Sequence, residues 1–321
     1  MGDKNVAVRK RQGNNSATLL FTGRKENFMN TGPILGDATE EQLSLAVFEN
    51  LHDLFRSMTN DLPNGELAES EKLSRHHTFP TNPMFKGVWN TRLSESEADA
   101  AIEETIAWFR ERDAPYFFWW TGPETTPADL PQRLQSHGLI DMAEQQKELA
   151  AGIKQIELGA PCMVAELGKM NESALTRTPE EFVVREVASE AELDDFKKVF
   201  VETYEIPEWA GQAWVDATRM IGIGRTPWRM FVGYLNDEPV ATNMLFNGGG
   251  VTSVYAIATV PSARGKGVGG AITLKPLIEA RDRDGYKYAV LFSTEMGIRV
   301  YQRIGFRLTD ARINRYLWRS G

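Results

Sequence analysis

The second half of the chain carries the clearest alternation of apolar and polar positions. Glu181 to Ala188 alternates with period two and predicts a strand, and Glu190 to Glu205 places Leu193, Phe196, Val199 and Phe200 at helical spacing. Pro207 to Gly224 opens on a proline and closes on glycines, which predicts a second helix. Trp228 to Leu235 and Pro239 to Phe246 flank Asn236-Asp237-Glu238 as the arms of a hairpin, and Thr252 to Thr259 is a further strand. Beyond it a glycine-rich turn opens a helix. Leu291 to Thr294 then reads as a strand, Met296 to Gly305 as a short helix, and closing strands finish the chain.

The first half echoes this order. Gly87 to Leu93 reads as a strand, Glu95 to Arg112 as a helix, Tyr116 to Trp120 as an apolar strand, and Pro127 to His137 as a short helix ending in Gly138-Leu139. That pair stands where Gly305-Phe306 stands in the second half. The turn between the first of these strands and its helix differs: Ser94-Glu95-Ser96-Glu97-Ala98-Asp99 has no glycine and three acids, which repel a phosphate.

The glycine turn of the second half is the chemically informative stretch. Val260-Pro261-Ser262-Ala263-Arg264-Gly265-Lys266-Gly267-Val268-Gly269-Gly270 lets the backbone turn its N–H groups inward ahead of a helix N-terminus, a cradle for a pyrophosphate. Gly265, Gly267 and Gly270 also satisfy the dinucleotide pattern, but that fold needs several further strand-helix units and only residues 271–321 remain. No Lys-Ser or Lys-Thr follows a glycine here, so a nucleoside-triphosphate loop is excluded.

The remaining pattern is Arg-x-x-Gly-x-Gly at Arg264 to Gly269, and Tyr301-Gln302-Arg303-Ile304-Gly305-Phe306 supplies a Tyr-x-x-x-Gly-Phe ending downstream. With these two motifs the chain resembles the GCN5-related N-acetyltransferase (GNAT) superfamily from about residue 180 to the end. The resemblance implies an α/β (α+β) fold with a mixed central sheet flanked by helices, here duplicated. It gives a basic tail at 1–38, a degenerate half without the pyrophosphate loop at 39–175, and a catalytic half at 176–321, joined by a polar linker from Gly168 to Pro179.

The resemblance also implies acetyl-coenzyme A as acyl donor and an amine acceptor. Arg264, Gly265, Lys266, Gly267, Val268, Gly269 and Gly270 would cradle the pyrophosphate, and Ile257, Ala258, Thr259 and Val260 would pair with the pantetheine arm. Tyr301 stands where the family places the acid that protonates the departing thiolate. The family often carries Asn and Ala where this chain has Thr294 and Gly297, so Ser293 or Thr294 would have to replace the Asn contact. Glu205, Glu208 and Asp216 are base candidates by their place on the acceptor-side helices, where Trp209 and Trp214 are candidates to line a pocket. A non-catalytic acyl-coenzyme A sensor is the alternative reading.

Composition narrows the partners. An apolar fraction of 42% suits a substantial core, and a formal net charge of −8 argues against nucleic acid as the main partner. The single cysteine, Cys162, forbids an intrachain disulfide and suits a reducing cytoplasm; as a nucleophile it has no His-based partner motif. His76-His77 lacks a third ligand at metal spacing, so no metal is expected. No apolar run reaches membrane-spanning length, and no signal-peptide core opens the chain. The first 28 or so residues are basic and rich in Gly, Asn and Ser, and read as a loose tail. The expected partners are acetyl-coenzyme A and a small-molecule amine, on a monomer or homodimer.

Overall fold

The computed structural model describes residues 7–10, 32–143 and 159–320. In the first half lie β1 (Ala7–Lys10), α1 (Glu40–Asp61), β2 (Glu66–Glu69), β3 (Ser74–His77), β4 (Lys86–Trp89), α2 (Glu95–Arg110), β5 (Tyr116–Thr121), α3 (Leu130–Ser136), β6 (Ile140–Asp141) and β7 (Ala160–Glu166). The second half follows with β8 (Phe182–Glu186), α4 (Glu190–Tyr204), α5 (Glu208–Ile221), β9 (Trp228–Leu235), β10 (Glu238–Gly248), β11 (Val251–Thr259), α6 (Val268–Asp282), β12 (Tyr288–Phe292), α7 (Glu295–Ile304) and β13 (Arg307–Arg319).

The expected elements of the second half are present, with shifts that have local causes. The strand expected at Leu291 to Thr294 begins at Tyr288 and stops at Phe292, because Thr294 turns its hydroxyl to the Gly297 amide and caps α7. In the first half, the strand expected to run to Leu93 ends at Trp89, where Asn90 takes a left-handed φ of 53°. One 13-residue strand, β13, stands in place of several closing strands. Four residues of the expected tail, Ala7–Lys10, form β1 on the edge of β2; the rest of residues 1–31 lies outside the described residues.

All these strands form one mixed sheet in the order β1-β2-β3-β4-β5-β13-β7-β12-β11-β10-β9-β8, with β6 also on β13. Each half has the same internal plan: an antiparallel meander, a helix crossing to a parallel strand (β4 to β5, β11 to β12), and a second short helix. Their last strands are exchanged. β7, which ends the first half, pairs antiparallel with β12 of the second, while β13 pairs with β7 at Arg307–Ile313 and then with β5 at Asn314–Arg319. The chain boundary expected near residue 175 is therefore not a boundary of the sheet.

Helices cover both faces. α2 and α3 pack on Phe117, Trp119, Tyr316 and Trp318, and α6 and α7 on Leu245, Ala289 and Leu291. The opposite face is covered by α1 and α5 in one continuous core that includes Phe118, Trp120, Val164, Trp214 and Ile313. The pattern did not announce α1, because its buried face carries Asn50, His52 and Asp53 among its leucines. Asn50 is fully buried and clamps the β10–β11 hairpin. Its amide donates to the Gly248 carbonyl at 2.9 Å, and its carbonyl accepts the Tyr255 hydroxyl at 2.7 Å.

Removing that clamp strands buried polar groups on the hairpin and on Tyr255. Asn50→Leu is expected to lower unfolding free energy by about 2–4 kcal/mol, read as a fall in the urea midpoint at constant slope.

His76 is buried between Phe55 (stacked, 4.8 Å) and Trp89 (edge-on, 5.1 Å), with neither ring nitrogen in a well-formed hydrogen bond among the described residues. Burial, then the nearby Lys86 ammonium, pushes its pKa down to about 3; the same causes push His77 down to about 4. The folded state thus resists protons that the unfolded chain accepts below about pH 6.5. Stability should be fully present above pH 6.5 and fall toward pH 3, and His76→Phe should flatten that fall in acid titrations of thermal midpoint.

Candidate active site

Two glycines with positive φ shape the turn after β11: Gly265 at 78° and Gly267 at 79°. A side chain at Gly267 would also meet the Arg177 carbonyl at 3.1 Å, so the 172–178 segment fixes the loop from behind. The first helical bond of α6 runs from the Ala271 amide to the Gly267 carbonyl, and the amides of Gly265 through Gly270 donate to no acceptor among the described residues. This is an uncapped helix start preceded by inward-turned amides, the physical requirement for holding a phosphate. Arg264 is exposed, and its Nε donates to the Thr259 carbonyl at 3.1 Å, tying the loop to the end of β11. Lys266 is exposed.

The equivalent helix start in the first half is closed. The Glu97 carboxylate folds back to accept from the Ser94 amide (3.2 Å) and hydroxyl (2.7 Å). The Lys72 ammonium, then Ser94, hold its pKa down to about 2, so a fixed anion occupies the end of α2 where a ligand anion would go.

Beside the open loop, β11 leaves its parallel neighbour. The two strands share register only at Thr252↔Ala289 and Ser253↔Val290, while β11 runs on to Thr259 paired with β10 alone. The divergence comes from a bulge. Between the pairs Met244↔Tyr255 and Thr242↔Ala258, β11 holds one more residue than β10, and Ala256 takes a φ of 48° with its carbonyl accepting the Thr242 hydroxyl at 2.8 Å. The edge at Ile257, Ala258 and Thr259 therefore faces a gap that begins at the phosphate loop. The Tyr204 hydroxyl, from the end of α4, donates to the Ile257 carbonyl at 3.1 Å.

Tyr301 approaches the same gap from α7. Gly297 makes room for it, since a Cβ there would sit 2.8 Å from the Tyr301 ring and 2.7 Å from the Ser293 hydroxyl. The ring meets Phe306 edge-on, and its hydroxyl makes no hydrogen bond among the described residues. Burial, then the neighbouring Tyr204, pushes its pKa up, which keeps the phenol protonated. Ser293 is buried and donates to the Thr294 carbonyl, and Thr294 caps α7, so both hydroxyls are engaged within their own turn.

The acidic candidates lie farther out. Glu205 is exposed at the left-handed end of α4, Glu208 is exposed and pairs with Lys197 at 2.8 Å, and Asp216 accepts from Gln212, one turn earlier on α5, at 2.8 Å. Trp214 belongs to the core against Phe85 and Trp228, whereas Trp209 is exposed and stacks on Tyr116 of β5. Cys162 is buried, with its thiol pushed up to about 12 by burial, and it faces the core as an inert side chain. His76 and His77 alternate across β3, and no cluster of three or more ligating side chains forms among the described residues.

Sequence reasoning missed Tyr204, Phe292 and Arg315, which the fold gathers near the gap with Trp120, a residue of the apolar strand read from the pattern. One signal was available. On β13 the positions Ala311, Ile313 and Leu317 are buried, and Arg315 falls on the same alternating face.

An opened strand edge thus runs into a helix start whose amides have no acceptor among the described residues. Residues 191–306 match the model of the Acetyltransferase (GNAT) family, and the chain carries a GNAT acetyltransferase domain there. The fold is similar to that of a GCN5-related N-acetyltransferase from Kribbella flavida (18% identity, TM-score 0.62, 87% of this chain and 96% of that one). It is also similar to one from Sphaerobacter thermophilus (12%, 0.54, 88% and 95%). A tandem GNAT protein from the clavulanic acid biosynthesis pathway aligns at 10% identity and TM-score 0.55, over 88% and 95%. No curated protein matches the sequence.

Gly269 offers a clean test of the loop, because a Cβ there meets only ordinary contacts and its backbone is helical. Gly269→Glu adds an acid to a helix start, which favours folding. The thermal midpoint should hold or rise while affinity for acetyl-coenzyme A, read by calorimetry, falls at least roughly tenfold through charge repulsion.

Proposed function

We propose that the chain is an acetyl-coenzyme A-dependent N-acetyltransferase acting on a small-molecule amine. The observation that carries this reading is the run of undirected amides from Gly265 to Gly270 at one end of the β11–β12 gap, with the unbonded Tyr301 phenol beside the other. The amides and the positive end of α6 hold the pyrophosphate. The edge of Ile257, Ala258 and Thr259 that β12 leaves unpaired takes the pantetheine arm, with Val260, whose amide is bonded to the Val240 carbonyl, closing its end, and an edge amide polarises the thioester carbonyl. Ser293 and Thr294 border the arm but keep their hydroxyls for α7, so the strand edge does the holding.

The acceptor ammonium first loses a proton to solvent on the side of Glu205 and Glu208. Its nitrogen lone pair then attacks the carbonyl carbon, forming the C–N bond. The C–S bond breaks and the thiolate takes the Tyr301 proton, while the proton that the acylated nitrogen must shed passes through solvent and restores the Tyr301 phenol. The raised phenol pKa fits this role, because the group arrives protonated at each turnover.

Tyr301→Phe is expected to lower kcat by roughly a hundredfold or more while acetyl-coenzyme A affinity stays within about threefold. Gly297→Ala, which displaces the same ring, should follow it in kcat. Thiol release over an amine panel reads both. Tight binding of acetyl-coenzyme A without release from any amine would favour the sensor instead, and absence of binding would remove the reading altogether.

A further inference from the structure

Arg315 is a charged side chain near the gap whose hydrogen-bonding capacity goes unused among the described residues. Its guanidinium lies over the rings of Phe118 and Trp120, at 5.2 and 5.8 Å from their centroids. Cation–π contact attracts the charge but offers no acceptor to its N–H donors. No hydrogen bond or ion pair reaches Arg315 among the described residues. The partly buried arginines Arg75, Arg112 and Arg229 also sit on aromatic rings, yet each holds a carboxylate: Glu104, Glu66 and Glu186. A sheltered guanidinium with no anion is costly unless a ligand supplies one.

The topology sets this charge at the open end of the cleft. Phe292, the last residue of β12, pairs with Cys162, and Ala160 at the start of β7 pairs with Ile313. Arg315 is two residues further along β13, beyond the end of β12, where β11 has already splayed away. Trp120, its partner in register on β5, reaches Phe292, and Phe292 meets Tyr255 of β11. The Trp120 indole N–H is buried without a hydrogen-bond partner among the described residues. Tyr204 joins the two ends: its hydroxyl holds the Ile257 carbonyl, and its phenol lies within electrostatic reach of both Arg315 and Tyr301.

We infer that Arg315 is the anchor for a carboxylate on the acceptor, so that the substrates are primary amines bearing a carboxylate, of the amino-acid type. This rests on the acetyltransferase reading above and adds the substrate class. A carboxylate takes two parallel N–H bonds from a guanidinium, a geometry that lysine cannot reproduce. Anchored there, the acceptor spans the Tyr204 ring with its amine toward the thioester. The amine supplies the new C–N bond and the thiolate leaves as before, so the anchor itself exchanges no proton.

The test uses matched probes on the full chain: glycine, β-alanine, γ-aminobutyrate and phenylalanine against their carboxamides, with thiol release as readout and acetyl-coenzyme A affinity measured in parallel. At least one acid should exceed its amide by roughly tenfold or more in kcat/KM. Arg315→Met should raise KM for that acid by roughly 30-fold or more with kcat within about threefold, and should lower the amide's kcat/KM far less; Arg315→Lys should fall between. Equal use of acid and amide, equal loss of both in Arg315→Met, or acetyl-coenzyme A binding with neither acetylated would overturn the inference. A wild-type chain that fails to bind acetyl-coenzyme A would overturn the underlying reading and the inference with it.

Discussion

The ladder between β7 and β13 is the constraint on which the rest of the structure depends. Each of these strands ends one half of the chain and is hydrogen-bonded into the sheet of the other, so the two halves share a backbone ladder and not merely a packed face. Backbone pairing is strict in register, since a one-residue slip would turn every side chain to the opposite face. The exchange therefore fixes Arg315 opposite Trp120 and Ile313 opposite Ala160. Helix α1 reinforces the same junction, burying leucines against both halves while Asn50 and Asp53 bond to the β10–β11 hairpin.

The two halves also show how one architecture is opened or closed to an anion. Both place a helix start after a strand whose neighbour is parallel. In the first half Ser94 and Glu97 satisfy that start from within the chain, and the carboxylate supplies the charge that a phosphate would bring. In the second, glycines carry no side chain that can turn back, so the amides stay available. A single turn thus separates a closed helix start from an open one, within the same internal plan of strands and helices.

The glycine turn, the hairpin and the helix that carries Tyr301 were legible in the sequence because each depends on neighbours within a few residues: glycines that permit positive φ, turn residues between alternating runs, and a helical spacing that sets Tyr301 one turn from Gly297. Strand β7 was not legible as part of the second sheet, since Ala160–Glu166 is a short apolar run whose partner lies far along the chain. Helix α1 was obscured for a related reason. Its polar residues look like a solvated face until the hairpin they bind is brought to them. The roles of Ser293 and Thr294 were likewise undecided until α7 was seen to use Thr294 as its cap.

What the sequence by itself determined is the chemistry that local backbone conformation can carry: a glycine turn that presents amides, a helix that follows it, and an acidic turn that closes its counterpart. Only the tertiary structure decided what lies at the open end of the gap. There Tyr204, Trp120, Phe292 and Arg315 come from four separate elements, and their meeting depends on the strand exchange. Contacts of that kind are set by non-local pairing and burial, which no window of sequence contains.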